Sequence, residues 1–178
     1  MLDAEKGNLV TYIKLSVLAL SMAKQLQMYG LSEREIGERI YKTADAYFAL
    51  SPFRKWIQRT LFFSGFNIRQ IRAREDATTR SPNGVNGFKL RYVEGATPDG
   101  FGVDYLSCGI CDYYRRMGMS EYVKYLCLVD YAIVKNLGIH FSRTTTLGDG
   151  GPKCDFRFPR SVAIAEGWPP DGLAEFRQ

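Results

Sequence analysis

The 178-residue, 20.2 kDa chain is 46% hydrophobic and 24% charged, the balance of an ordinary globular domain, and its four cysteines are too few for a disulfide scaffold. An aromatic content of 13% excludes a solvated disordered chain, and the single histidine, His140, excludes sites built from several histidines, so any chemistry must draw on Cys, Asp, Glu, Arg, Tyr or Thr. Twenty-four Lys and Arg against nineteen Asp and Glu leave a net charge of +5, a mild basic excess that raises nucleic acid as a partner without establishing it.

The first apolar run, Leu15 to Ala23, lies between Lys14 and Lys24 and falls well short of the about 20 residues that span a bilayer. Asp3 and Glu5 beside Lys6 give the wrong charge pattern for a secretory leader. The run therefore reads as part of a helix from about Asn8 to Tyr29, with Val10, Ile13, Val17, Leu20 and Met28 near helical spacing and Gly30 as its stop. Ser32, with Glu33 and Glu35 behind it, caps a second helix of about eighteen residues bearing Ile36, Ile40, Ala44, Tyr47 and Phe48. Ser51-Pro52 opens a third, with Phe53, Trp56, Ile57, Leu61 and Phe62 as its apolar stripe.

Gly65 to Gly100 reads as turns around short strand-like pieces, because glycines, Asn83, Asn86, two Ser/Thr clusters and Pro98 interrupt it. Phe88, Leu90 and Tyr92 alternate with Lys89, Arg91 and Val93 as in a half-exposed strand. The basic excess concentrates here: Pro52 to Arg91 holds nine Lys or Arg against Glu75 and Asp76. Beyond Phe101 the spacing predicts a short helix or turn over Tyr105–Met117, then one strong helix from Ser120 to Gly138. Thr144 to Phe158 reads as a β-hairpin around Gly148-Asp149-Gly150-Gly151-Pro152, and residues 161–178 as a loosely packed irregular tail. The expected fold class is α+β: one domain over 1–160, with an N-terminal helical part packed against a small antiparallel sheet and a long helix in the C-terminal half.

Cys108-Gly-Ile-Cys111 is a CxxC pair, which alone signals a metal knuckle, a redox pair or nothing. A zinc ribbon shows two close pairs, whereas here the spacings onward to Cys127 and Cys154 are 16 and 27. A thioredoxin-type pair needs a strand-to-helix setting and usually a flanking aromatic or proline, and Gly109-Ile110 supplies neither. Cys127 and Asp130, at i and i+3 on a helix, present a thiol and a carboxylate together. A carboxylate alone raises a thiol's pKa, so the pair needs a cation, and Arg143 and Arg157 on the two arms of the hairpin are the candidates. On the alternating strand, Cys154 shares a face with Phe156, and Asp155 with Arg157. The glycines at 148, 150 and 151 could form an anion-binding nest but match no phosphate-loop or dinucleotide fingerprint.

The order Cys108, Gly118, Tyr125-Leu126-Cys127, Asp130-Tyr131, then Arg143-Thr144-Thr145-Thr146-Leu147, Gly150 and Cys154-Asp155-Phe156-Arg157-Phe158 resembles the L-2-amino-thiazoline-4-carboxylic acid hydrolase family. The resemblance implies a hydrolase that opens a 2-aminothiazoline carboxylate, a small cyclic amidine, to a carbamoyl-cysteine. It places Cys127, Asp130 and Cys154 in the active site, with Cys108 a weaker member and Cys111 an addition without part in the chemistry. Such a substrate needs a cation for its carboxylate and a thiolate or activated water for its amidine carbon. Arg143 is the expected carboxylate clamp, with Thr145, Asp155 and Arg157 as further substrate-binding candidates and Cys127 as the nucleophile. No cofactor is expected; zinc held by Cys108, Cys127, Cys154 and Asp130 is the alternative.

Two non-catalytic alternatives remain beside this reading. The Arg54 to Arg91 segment, with aromatic residues among its arginines, could bind nucleic acid or an acidic partner, although no nucleic-acid-binding motif is present. A small-ligand sensor could keep the pocket without turnover. The favoured expectation is a cytoplasmic protein with a small-molecule substrate, no membrane association, nucleic acid as the lesser partner, and homo-oligomerisation left open.

Overall fold

The computed structural model describes residues 2–95, 100–160 and 166–173, with side chains described from residue 11 onward. Helix α1 spans Leu2–Met28 and ends where Gly30 takes a positive φ of 78°. Its inward face is Ser16, Leu20 and Ala23, not Val17 and Met28, which are exposed. Helix α2 (Glu33–Tyr47) starts with the reciprocal capping box of Ser32 and Glu35, and Gly37 lets it approach the Tyr125 ring, which a Cβ there would meet at 2.5 Å. Helix α3 (Pro52–Phe62) begins at Ser51-Pro52 as expected, though Ser51 makes no capping hydrogen bond with its side chain. Its stripe is largely exposed at Phe53, Trp56 and Leu61.

Residues Gly65–Arg80 form helix α4 instead of the expected turns and strand pieces. Ser64 caps it by accepting from the Asn67 N–H, and the glycine read as a breaker stands at its first position, where breaking power is least. Ile71 and Thr78 face inward, and the Thr78 hydroxyl accepts from the Leu90 N–H at 3.3 Å, tying the helix to the sheet.

Three antiparallel strands form the sheet in the order β1 (Lys89–Glu94), β2 (Phe101–Ser107), β3 (Cys154–Phe158). Strand β2 replaces the helix or turn expected from Tyr105, and helix α5 covers only Gly109–Arg116. The hairpin is corrected too: β3 pairs with β2, Val103 opposite Phe156 and Tyr105 opposite Cys154, while residues 142–146 form no strand beside β3, their one β-bridge, Ser142 to Arg157, being isolated. The α+β class holds, with a small antiparallel sheet beside a helical part.

The strong helix expected from Ser120 to Gly138 is broken. A 3-10 turn at Ser120–Tyr122 leads into α6 (Val123–Cys127), and α7 (Val129–Leu137) follows after Leu128. At the break the Leu128 N–H donates to Tyr125 O at 3.1 Å and the Tyr131 N–H to Leu128 O at 3.0 Å, the tighter i→i−3 pattern. Gly138, with φ 70°, ends α7 through a Schellman bond from the Ile139 N–H to Val134 O.

One apolar cluster joins α2, α4, α7 and the sheet through Tyr41, Ile71, Phe101, Leu128, Tyr131 and Phe158. A second joins α1, α2, α5 and the start of α6 through Leu20, Ile36, Ile40, Tyr114 and Tyr122. The expected tail lies partly outside the described residues, at 161–165 and 174–178. Residues 166–173 are irregular but packed: the Trp168 ring sits 6.1 Å from Tyr41 and 6.4 Å from Tyr125.

The sheet face turned away from the apolar clusters carries the buried Asp104, bonded by Lys153 at 2.6 Å and Arg157 at 2.8 Å. Desolvation raises the pKa of this carboxyl, but the two cations outweigh it and hold it below the usual carboxylate value. A depressed folded pKa contributes stability that is present above the unfolded value near about 3.9 and is lost as pH falls through the folded one. Asp104→Asn should therefore cost about 1.5–3 kcal/mol at neutral pH. In urea melts repeated down the pH scale, its difference from the native protein should shrink below about pH 4.

Candidate active site

A cavity of about 560 Å³ lies between the inner face of the sheet and helices α1, α2, α4, α6 and α7. Its walls are mostly apolar, as in Ile40, Ile71, Leu90, Val103 and Phe156. Against this background stand Tyr12, Arg74, Tyr105, Cys108, Asp130 and the thiols of Cys127 and Cys154. Strand alternation explains Cys154: its Sγ faces the cavity side and accepts the Leu147 N–H at 3.2 Å, while Asp155 and Arg157 turn to the other face.

Arg143 organises the helix break. Its side chain is buried, with Nη1 donating to Asp130 Oδ2 at 2.8 Å and Nη2 to the Cys127 carbonyl at 2.8 Å. The guanidinium also lies over the rings of Tyr131, Phe141 and Phe156 at 5.0, 5.6 and 5.5 Å. A side chain that takes a carbonyl from the i→i−4 ladder is a recognised cause of helix kinks, and here it leaves Cys127 ending α6 and Asp130 in the first turn of α7. Arg143 thus orients Asp130.

Cys108 stands where β2 passes into α5. Gly109 is obligatory here, because a Cβ would lie 2.2 Å from Asn86 O in the turn before β1. Cys108 caps α5 with its backbone and makes no capping hydrogen bond of good geometry with its thiol. The Cys111 thiol and the N–H dipoles of Cys111 and Ile110 nevertheless lie close enough to pull the Cys108 pKa below the ordinary thiol value, against desolvation and the charge of Asp130. The other thiols go the opposite way. Desolvation pushes Cys127 well above the ordinary value, with Arg143 offsetting it only in part, and pushes Cys154 up to about 12. Hydrogen bonding to Cys108 and burial raise Cys111 as well.

Of the residues expected from sequence, Cys127, Asp130 and Cys154 come together on the cavity wall with Cys108. Arg143, Thr145, Asp155 and Arg157 do not line it. The Asp155 carboxylate accepts from the N–H groups of Thr144 and Thr145 at 2.8 and 2.9 Å and from the Thr144 hydroxyl at 2.7 Å, closing the loop before the 3-10 turn Leu147–Asp149. These bonds outweigh desolvation and lower the pKa of Asp155. Arg157 is held by Asp104. The expected anion nest is closed internally, with the N–H groups of Gly150 and Gly151 donating to Leu147 O and Thr146 O. Among the described residues, no three or more His, Cys, Asp or Glu side chains are gathered to hold a metal ion, so the set Cys108, Cys127, Cys154 and Asp130 does not fit zinc as it stands.

Arg74 is the cavity residue that sequence reading passed over. Its Nε is buried and finds no hydrogen-bond partner among the described residues. Within residues 65–100, read as turns, it is one of six Lys or Arg residues. On a helix, Ile71, Arg74 and Thr78 fall at i, i+3 and i+7 and share the inward face. Of the other basic residues, Arg72 bonds Glu94 and stacks on Tyr92, and Arg59, Arg69 and Arg80 bond backbone carbonyls. Among the described residues, no helix is long and apolar enough to cross a membrane.

Residues 31–158 match the family model of L-2-amino-thiazoline-4-carboxylic acid hydrolase. The chain belongs to that family. The match takes in every thiol on the cavity, Asp130 and Arg74, and leaves out the whole of α1, which supplies Tyr12. Neither a curated protein nor a solved structure matches the chain. In this member of the hydrolase family, Arg143→Lys should not restore the native arrangement, because an ammonium cannot serve a carboxylate and a carbonyl from one planar fork. Thermal and denaturant melts should show a loss of roughly 2–3 kcal/mol, below the fully buried case because Asp130 reaches solvent.

Proposed function

We propose that this hydrolase opens 2-aminothiazoline-4-carboxylate or a close cyclic amidine carboxylate, with Cys108 as the attacking thiol. The observation that carries the reading is the convergence of Cys108, Asp130 and Arg74, whose Nε is buried, on one cavity of a chain in this family. Sequence alone favoured Cys127, but a nucleophile must be available as thiolate, and it is Cys108 that its surroundings favour in that form.

In the proposed reaction Arg74 binds the substrate carboxylate and Tyr105, kept protonated by desolvation, is a hydrogen-bond donor in the same cavity. The Cys108 thiolate adds to the amidine carbon. The ring C–S bond breaks, the departing sulfur takes a proton, and an isothiourea on Cys108 remains. Asp130, held by Arg143, accepts a proton from water as it adds to that carbon. Expulsion of the Cys108 thiolate then gives the N-carbamoyl-cysteine. This sequence consumes one water and requires no cofactor. Breakage of the ring C–N bond instead would give an S-carbamoyl product with no new thiol, so thiol titration of the product distinguishes the two. A reducing, cytoplasmic setting would keep the thiols in the form the reaction needs.

Incubation with 2-aminothiazoline-4-carboxylate should yield a carbamoyl-cysteine. Cys108→Ser should lower kcat by about 10³-fold or more, and Cys127→Ser by far less. The opposite ranking would return the nucleophile's role to Cys127. Arg74→Gln should cost about 10- to 100-fold in kcat/KM, the scale of one hydrogen bond to a charged group. The zinc alternative is tested by metal analysis and chelation: turnover should survive a chelator, and stoichiometric zinc lost together with activity would replace the thiolate mechanism.

A further inference from the structure

The strand-to-helix setting that a redox-active CxxC requires, and that the sequence did not reveal, is present at Cys108. Strand β2 ends at Ser107, Cys108 caps α5 with its backbone, and Cys111 lies three residues on, one turn into the helix. Both border the cavity but they differ in burial: Cys108 is half-buried and Cys111 is 7% exposed. All four cysteines are free thiols. An accessible thiol at a helix start with a sheltered partner three residues on is the arrangement in which one sulfur attacks and the other resolves.

We propose that Cys108 and Cys111 form a dithiol–disulfide pair, oxidised reversibly by a small-molecule disulfide that reaches Cys108 through the cavity. The Cys108 thiolate attacks one sulfur of the incoming disulfide, forming a mixed disulfide and releasing the other half as a thiolate, which takes a proton. Cys111, giving up its proton, attacks Cys108 Sγ, and the second half leaves as thiol. The two protein sulfurs are oxidised by two electrons and one disulfide is reduced to two thiols. Surroundings that favour the Cys108 thiolate favour the first step, and Cys111, one turn along the same helix, is the thiol placed to take the second. The pair rests on its own geometry and not on the hydrolytic reading. Where both hold, oxidation withdraws the attacking sulfur and switches the hydrolase off.

The test uses the full chain without substrate. The protein is equilibrated in about tenfold excess of glutathione disulfide over glutathione, quenched in acid, alkylated and mapped by mass spectrometry. The expected result is loss of two of the four titratable thiols, a disulfide joining Cys108 to Cys111, and full recovery in dithiothreitol. Cys111→Ser should stop at a glutathione adduct on Cys108, and Cys108→Ser should leave Cys111 reduced. Four alkylatable thiols in the native protein, a bridge between any other pair, or a stable glutathione adduct on Cys108 with Cys111 intact would overturn the proposal. Since no turnover is measured, a protein inert toward thiazolines would still report on the pair, and an active hydrolase could still fail this test.

Discussion

The site depends on where one guanidinium finds its partners. Arg143 enters the interior after α7 and places its two terminal nitrogens on the Cys127 carbonyl and the Asp130 carboxylate. A buried cation carries a large desolvation cost, so it must be both charge-paired and hydrogen-bonded, and the aromatic rings around it exclude competing water. The helix yields because its ladder can: a single carbonyl is diverted, two i→i−3 bonds form around Leu128, and the axis restarts as α7. The thiol of Cys127 and the carboxylate of Asp130 are thereby held on one cavity wall with Arg143 behind them rather than in the cavity.

The sheet sorts the remaining groups by parity. On β3 the residues that read from sequence as one functional cluster divide between two sides, Cys154 and Phe156 facing the cavity, Asp155 and Arg157 facing away. On the far side Asp104 holds Arg157 and Lys153, and Asp155 secures the loop that follows Arg143. Residues that sit together in a motif can thus serve different ends, one presenting a thiol and the next fixing the backbone that presents it. The alternation itself was legible in the sequence; what Asp155 would meet on the other face was not, because its partners depend on a loop with no periodicity.

The same division marks the rest of the sequence reading. The capping box of Ser32 and Glu35, the stop at Gly30 and the alternation around Leu90 are local signals, and local signals survive folding unchanged. Most of the failures involve partners distant in sequence. Gly65 at a helix start looks like any breaker until Ser64 caps the helix and Thr78 bonds the sheet. Strand β2 alternates Phe101, Val103 and Tyr105 with Gly102 and Asp104, but the run is short and the pattern breaks at Leu106. Missing α4 concealed Arg74, and missing β2 concealed the setting of Cys108.

The cysteines show why residue type alone could not rank the candidates. Cys108, Cys127 and Cys154 line the same cavity beside the same Asp130, yet desolvation dominates at two of them and local donors at the third. A thiolate surrounded by apolar side chains loses hydration that a single cation, already committed to a carboxylate and a carbonyl, does not replace. At a helix start the backbone supplies oriented N–H dipoles, and a neighbouring thiol supplies one more donor. Cys111 therefore has a defined physical effect on Cys108 even though the family pattern gives it no place. A thiol stabilised by another thiol is reactive toward carbon electrophiles and toward disulfides alike, so the feature that suits Cys108 to hydrolysis is also the one that exposes it to oxidation.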